Sequence, residues 1–96
     1  MNENELYERA IAKWGNIAQI DKAIEECAEL IVALAKITNF KNGSTCNQVL
    51  EEMVDVEIMI TQLKLIFNHS FQLTLPTSKF HEIKQAKLKR LEERLK

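Results

Sequence analysis

From Ile17 onward the chain keeps one spacing: Ile17, Ile20, Ile24, Cys27, Ile31 and Leu34 alternate three- and four-residue steps without a break. Only an α-helix turns that spacing into a continuous stripe. The stretch therefore predicts a helix over about 17–38 that offers a seam to a partner helix. At about 100° per residue, Ala23, Leu30 and Ile37 widen the seam on one flank, and Gln19, Lys22, Glu26, Glu29 and Ala33 form a second stripe beyond it. Glu26 and Glu29 thus border the buried face beside Leu30, whereas Glu25 points well away from it.

A second long helix is expected over about 46–67, with Val49, Met53, Val56, Ile60, Leu63 and Phe67 as a heptad-like seam. Ile58 and Leu65 lie roughly opposite, and Met59 and Ile66 lie between. The solvated strip narrows to Glu57, Thr61, Lys64 and Asn68, so the helix reads as a central one. Glu52 and Asp55 share the Met59–Ile66 side and are expected to face inward or into an interface. Asn42-Gly43 marks the turn before it, and Thr45 with Gln48 has capping-box spacing.

Two shorter helices complete the prediction. Residues 3–13 place Leu6, Tyr7, Ala10 and Ile11 on one side, and Trp14-Gly15-Asn16 breaks the helix with Asn16 as the next N-cap. Residues 69–78 form a connector ended by Pro76 and the candidate caps Thr77 and Ser78. The last helix, about 78–95, carries Phe80, Ile83, Leu88, Leu91 and Leu95, with Lys87, Arg90 and Arg94 together on one face. With two Gly, one Pro and 46% hydrophobic residues among 96, neither disorder nor a turn-rich fold is expected. The expectation is a single all-α domain over residues 1–96, a bundle of four helices with the first short.

A net charge of −1 gives no global reason to expect stable nucleic-acid binding. The charge is uneven, however. Residues 79–96 hold seven Lys or Arg against three Glu, while residues 1–78 hold six bases against eleven acids. An acidic body with a basic end suits a site that binds metal ions and phosphates together. The two cysteines, Cys27 in the core pattern and Cys46 near a helix start, read as reduced thiols. The acidic start Met-Asn-Glu-Asn-Glu lacks the basic region of a secretory leader, and the longest apolar run, Leu30 to Ala35, is too short for a bilayer. A cytoplasmic protein without a membrane span is expected.

The chemistry lies in two acidic pairs, Glu26-x-x-Glu29 and Glu52-x-x-Asp55. Each i, i+3 pair points both carboxylates from one side of a helix, inside an otherwise apolar run. Burying like charges is costly, and a shared divalent cation removes the cost. Four carboxylates with no His or Cys suit Mg²⁺, with Mn²⁺ possible, better than zinc. A di-iron bundle needs Glu-x-x-His on two helices, and His69 and His81 lie elsewhere. Sparse carboxylate Mg²⁺ sites complete their coordination with water and substrate phosphates, which points to phosphate chemistry.

The run Trp14-Gly15-(x)3-Gln19-(x)5-Glu25-Glu26-(x)2-Glu29-Leu30, followed by Glu51-Glu52-(x)2-Asp55-Val56, resembles the MazG-like all-α nucleoside triphosphate pyrophosphohydrolases. The closing Lys87-Leu88-Lys89-Arg90-Leu91-Glu92-Glu93-Arg94-Leu95 is similar to the tail of short, phage-type members. The resemblance implies that Glu26, Glu29, Glu52 and Asp55 ligate Mg²⁺. It also implies that a nucleoside triphosphate is cut to a monophosphate and pyrophosphate, and that the chain works as a dimer or a dimer of dimers, built here through helices two and three. Glu25 is then either a water-positioning base beside Glu26 or a solvated acid. Lys22 either salt-bridges the acids or reaches a phosphate. Lys87, Arg90 and Arg94 either neutralise the triphosphate or form a solvated face, and Trp14 either stacks on a base or packs at a hinge.

Two alternatives stay open. Phosphoribosyl-ATP pyrophosphohydrolases share this scaffold, but typically carry a Tyr-His pair soon after their Asp-Leu, where this chain reads Asp55-Val56-Glu57-Ile58-Met59. A non-enzymatic helical oligomerisation module would use the acids only in salt bridges.

Overall fold

In the computed structural model, residues 1–68 and 78–96 are described. Among them the chain is all-helical, with α1 (Glu3–Trp14), α2 (Asn16–Ala35), α3 (Gly43–Asn68) and α4 (Lys79–Arg94) and no strand. None of the described helices is long and apolar enough to cross a membrane. The chain divides into two compact units, Met1–Leu63 and Lys64–Lys96.

Local chemistry explains most boundaries. The Asn2 side chain accepts the Glu5 N–H at 2.8 Å and donates to the Glu5 carboxylate at 3.1 Å, a reciprocal cap that starts α1. Gly15, at φ 88°, then serves two helices. Its N–H donates to the Ile11 carbonyl at 2.8 Å, closing α1, and its carbonyl accepts the Gln19 N–H at 3.2 Å, opening α2. Asn16 is therefore the first residue of α2 and not its cap, a correction to the expectation above; α2 has no side-chain cap. It also stops at Ala35, short of Thr38, because i→i+3 bonds from the Lys36 and Ile37 N–H groups to the Ala33 and Leu34 carbonyls tighten its last turn.

The third helix starts three residues earlier than the Thr45–Gln48 spacing implied. The Asn42 side chain accepts the Thr45 N–H at 3.2 Å, and its carbonyl accepts the Cys46 N–H at 3.1 Å, so Asn42 caps a helix beginning at Gly43. Ser78 opens α4 as expected, accepting the His81 N–H on its hydroxyl at 3.2 Å. The candidate cap Thr77, Pro76 and the rest of the connector lie outside the described residues.

The inward faces differ from the expected seams. Along α2 the buried residues are Gln19, Ala23, Glu26 and Ala33, whereas Ile17, Ile24 and Ile31 are 73%, 63% and 66% exposed. The stripe of small and polar residues, and not the isoleucine seam, packs within the chain. A direct bond joins the Gln19 amide of α2 to the Gln62 amide of α3 at 2.5 Å. On α3 the expected solvated strip is also revised. Thr61 and Lys64 are half-buried, while Leu50, Met53 and Val54 are exposed. The Lys64 ammonium lies 4.1 Å from the Phe80 ring centroid in the second unit. The Asn68 side chain is outside the described set.

Candidate metal centre

Two pairings set how α2 meets α3. Gln19 bonds Gln62, and Glu26 approaches Glu52 and Asp55. Residue numbers rise along one helix as they fall along the other, so the two run antiparallel. Gln62 also donates to the Met59 sulfur at 3.8 Å. This buried amide pair holds the register that brings the acidic pairs side by side. Gln62 was not singled out in the sequence, although a Gln at helical spacing from Met59 and Ile66 inside an apolar run is the available signal.

In that register one carboxylate oxygen each from Glu26, Glu52 and Asp55 lies within 4.8 Å of the others. Three unprotonated acids this close repel by on the order of a few kcal/mol per pair in a partly solvated setting. Glu26 is only 7% exposed. Its Oε1 receives the Lys22 ammonium at 3.0 Å, and Lys22 also reaches Glu25 at 3.7 Å. The second oxygen, Oε2, is buried with no hydrogen-bond partner, and so is Oε2 of half-buried Glu52. A buried carboxylate oxygen without a donor is costly. A shared proton or a bound cation would satisfy them, and the all-oxygen donor set suits a hard divalent ion. No described His or Cys joins the group.

Glu29 lies against Glu26 at the edge of that trio. It is exposed, and the negative charge of Glu26, then burial, then Glu52 raise its carboxyl above the ordinary value. Glu29 is thus the electrostatic neighbour of the cluster, on an open depression it shares with Val32, Gln48 and Glu52. Asp55, expected to face inward, joins the trio from an exposed position. It sits at the mouth of the site, with Glu26 at the base.

The other candidates are placed as follows. Glu25 is exposed, as its angle on α2 implied, and Lys22 bridges it to Glu26; the hydrogen bond to Glu26, more than any other influence, raises the Lys22 ammonium above its ordinary value. Trp14 is 58% exposed under the Lys13 ammonium, 5.4 Å from the ring centroid, which removes the packed-hinge reading. Lys87, Arg90 and Arg94 gather on one exposed surface of α4 together with Glu93, in the second unit. Both cysteines are free, and Cys46 donates to the Phe40 carbonyl at 3.5 Å.

No family model, curated protein or solved structure matches this chain.

Proposed function

We propose that the chain is a Mg²⁺-dependent nucleoside triphosphate pyrophosphohydrolase of the MazG-like kind, with Mn²⁺ as a substitute ion. The observation that carries the reading is the Glu26–Glu52–Asp55 trio with its buried, partnerless Glu26 oxygen. Glu26, Glu52 and Asp55 would hold the ion, with Glu29 beside Glu26 as a further ligand. When bound, the ion offsets phosphate charge and acidifies a water. Glu25, exposed beside Glu26, takes the water's proton. The water oxygen bonds to phosphorus as the anhydride bond between the α and β phosphates breaks, leaving a nucleoside monophosphate and pyrophosphate. Lys22 meets a phosphate oxygen, and exposed Trp14 stacks on the base.

In the same reading a second copy of the chain covers Ile17, Ile24 and Ile31 of α2 and Leu50, Met53 and Val54 of α3. These residues fit a homodimer or homotetramer, because each isoleucine is worth about 1.5–3 kcal/mol when removed from water. The competing reading, a non-enzymatic helical module, is favoured by the Lys22–Glu26 ion pair but gives the buried Glu52 oxygen no partner.

A panel of ribo- and deoxyribonucleoside triphosphates and phosphoribosyl-ATP, incubated with Mg²⁺, tests the activity. Pyrophosphate release is expected, with Glu52→Gln slower by on the order of a hundredfold or more. Orthophosphate as the product, or full turnover in Glu52→Gln, overturns the assignment. A Mg²⁺-induced rise in melting temperature is expected in the wild type and absent from the helical-module reading.

A further inference from the structure

We propose that Lys22 is the built-in counter-cation of the carboxylate site, and that a divalent ion must displace it from Glu26 on entering. This rests on the metal reading above and adds a device that sets the ion's affinity and couples it to substrate. The geometry is specific. Glu26 is the most buried acid of the trio, its side chain 9% exposed, and its two oxygens have different fates. One takes the Lys22 ammonium at 3.0 Å; the other is buried and partnerless beside Glu52 and Asp55.

A divalent ion held by that second oxygen shares a single carboxylate group with the ammonium. Two cations on one small carboxylate repel each other, so the ion and the ammonium compete for Glu26. Lys22 can yield, because its side chain is half exposed and lies one helical turn from Glu26, with Glu25 as an alternative partner at 3.7 Å. Glu26 cannot, since its own burial fixes it. Displacement therefore moves the ammonium outward, toward Glu25 and toward the solvent from which a phosphate arrives. Filling the site and freeing an ammonium for phosphate become one event.

The chain binds divalent ions less tightly than its carboxylates alone would, since each ion has to release Lys22 first. Removing the ammonium must tighten ion binding. A helix-stabilising salt bridge with no such role predicts the opposite or nothing: Lys22→Met would melt earlier and bind ions no better.

The test is Mn²⁺ titration of the full chain without nucleotide, reading free ion by electron paramagnetic resonance. Wild type, Lys22→Met, Lys22→Gln and Lys22→Arg are compared, each checked for helicity by circular dichroism. Both neutral variants are expected to bind Mn²⁺ at least about fivefold tighter, the lower end of ordinary coupling between two ligands, with Lys22→Arg close to wild type. Neutral variants that bind no tighter while the wild type binds overturn this inference alone. A wild type that takes up no Mn²⁺ overturns the metal reading and the inference with it.

Discussion

Tyr7 shows how one buried side chain is fixed within its own helix. Its hydroxyl donates to the Glu3 carboxylate at 2.8 Å, one turn earlier on α1. That bond first, then burial and the charges of Glu3 and Glu57, raise the phenol above its ordinary value of 10.0. A raised folded value means that the protonated phenol stabilises the fold. The contribution is fully present below the ordinary value and is lost as pH rises through the folded one. Tyr7→Phe is therefore expected to lower stability by about 1 kcal/mol at neutral pH. In paired denaturant titrations the gap between variant and wild type should close above about pH 10; a gap that stays constant would show that the hydroxyl contributes no titrating interaction. At Glu29 the charge balance runs the other way. Glu26 and Glu52 repel it, so Glu29→Gln is expected to raise the melting temperature of the ion-free chain while weakening Mg²⁺ stabilisation. A melting curve with and without Mg²⁺ reads both.

The α2–α3 pairing contains a buried amide pair. Gln19 and Gln62 are both buried and bond each other directly. Replacing one by Leu strands the other, at a cost of about 1–3 kcal/mol; replacing both should cost less than the sum of the two single changes. A double-mutant cycle measures that coupling, and strict additivity would show that the bond does not hold the register. Ala23 and Ala33 are buried on the same α2 stripe as Gln19 and Glu26. A leucine at position 23 should overpack it by about 1–3 kcal/mol. If the two helices set the acid trio, Ala23→Leu also weakens the Mg²⁺ response without touching a carboxylate.

Across the molecule the surface is divided by chemistry. Residues 79–96 are strongly basic, and residues 1–78 carry most of the acids. The first unit also leaves Ile17, Ile24 and Ile31 open on α2. Three large apolar residues at seven-residue intervals on one helix are a coiled-coil-like seam with no occupant within their own unit. Light scattering after gel filtration is expected to give a dimer or tetramer for the wild type. Ile24→Asp with Ile31→Asp should yield a monomer of unchanged helicity, because neither residue supports the chain's own packing. A monomeric wild type would leave that seam without the proposed partner.

Much was legible in the residues themselves. Four helices, their order and most of their limits follow from apolar spacing and from the scarcity of Gly and Pro, because helix formation is governed by neighbours a few residues away. The same local geometry separates the directions of Glu25 and Glu26 and points each acidic pair from one side of its helix. The caps at Gly15 and Asn42 were less legible, since several nearby residues are competent caps and the backbone path selects one. What the tertiary structure alone decided is which stripe turns inward. Helical periodicity states which residues share a face; it does not state which of two adjacent faces meets a neighbour. On α2 both the isoleucine seam and the Gln19–Ala23–Glu26–Ala33 stripe qualify. The choice rests on contacts such as the one between Gln19 and Gln62, 43 residues apart. That choice buries Glu26 with one free oxygen and leaves Glu29 and Asp55 at the rim, turning two similar acidic pairs into one graded site.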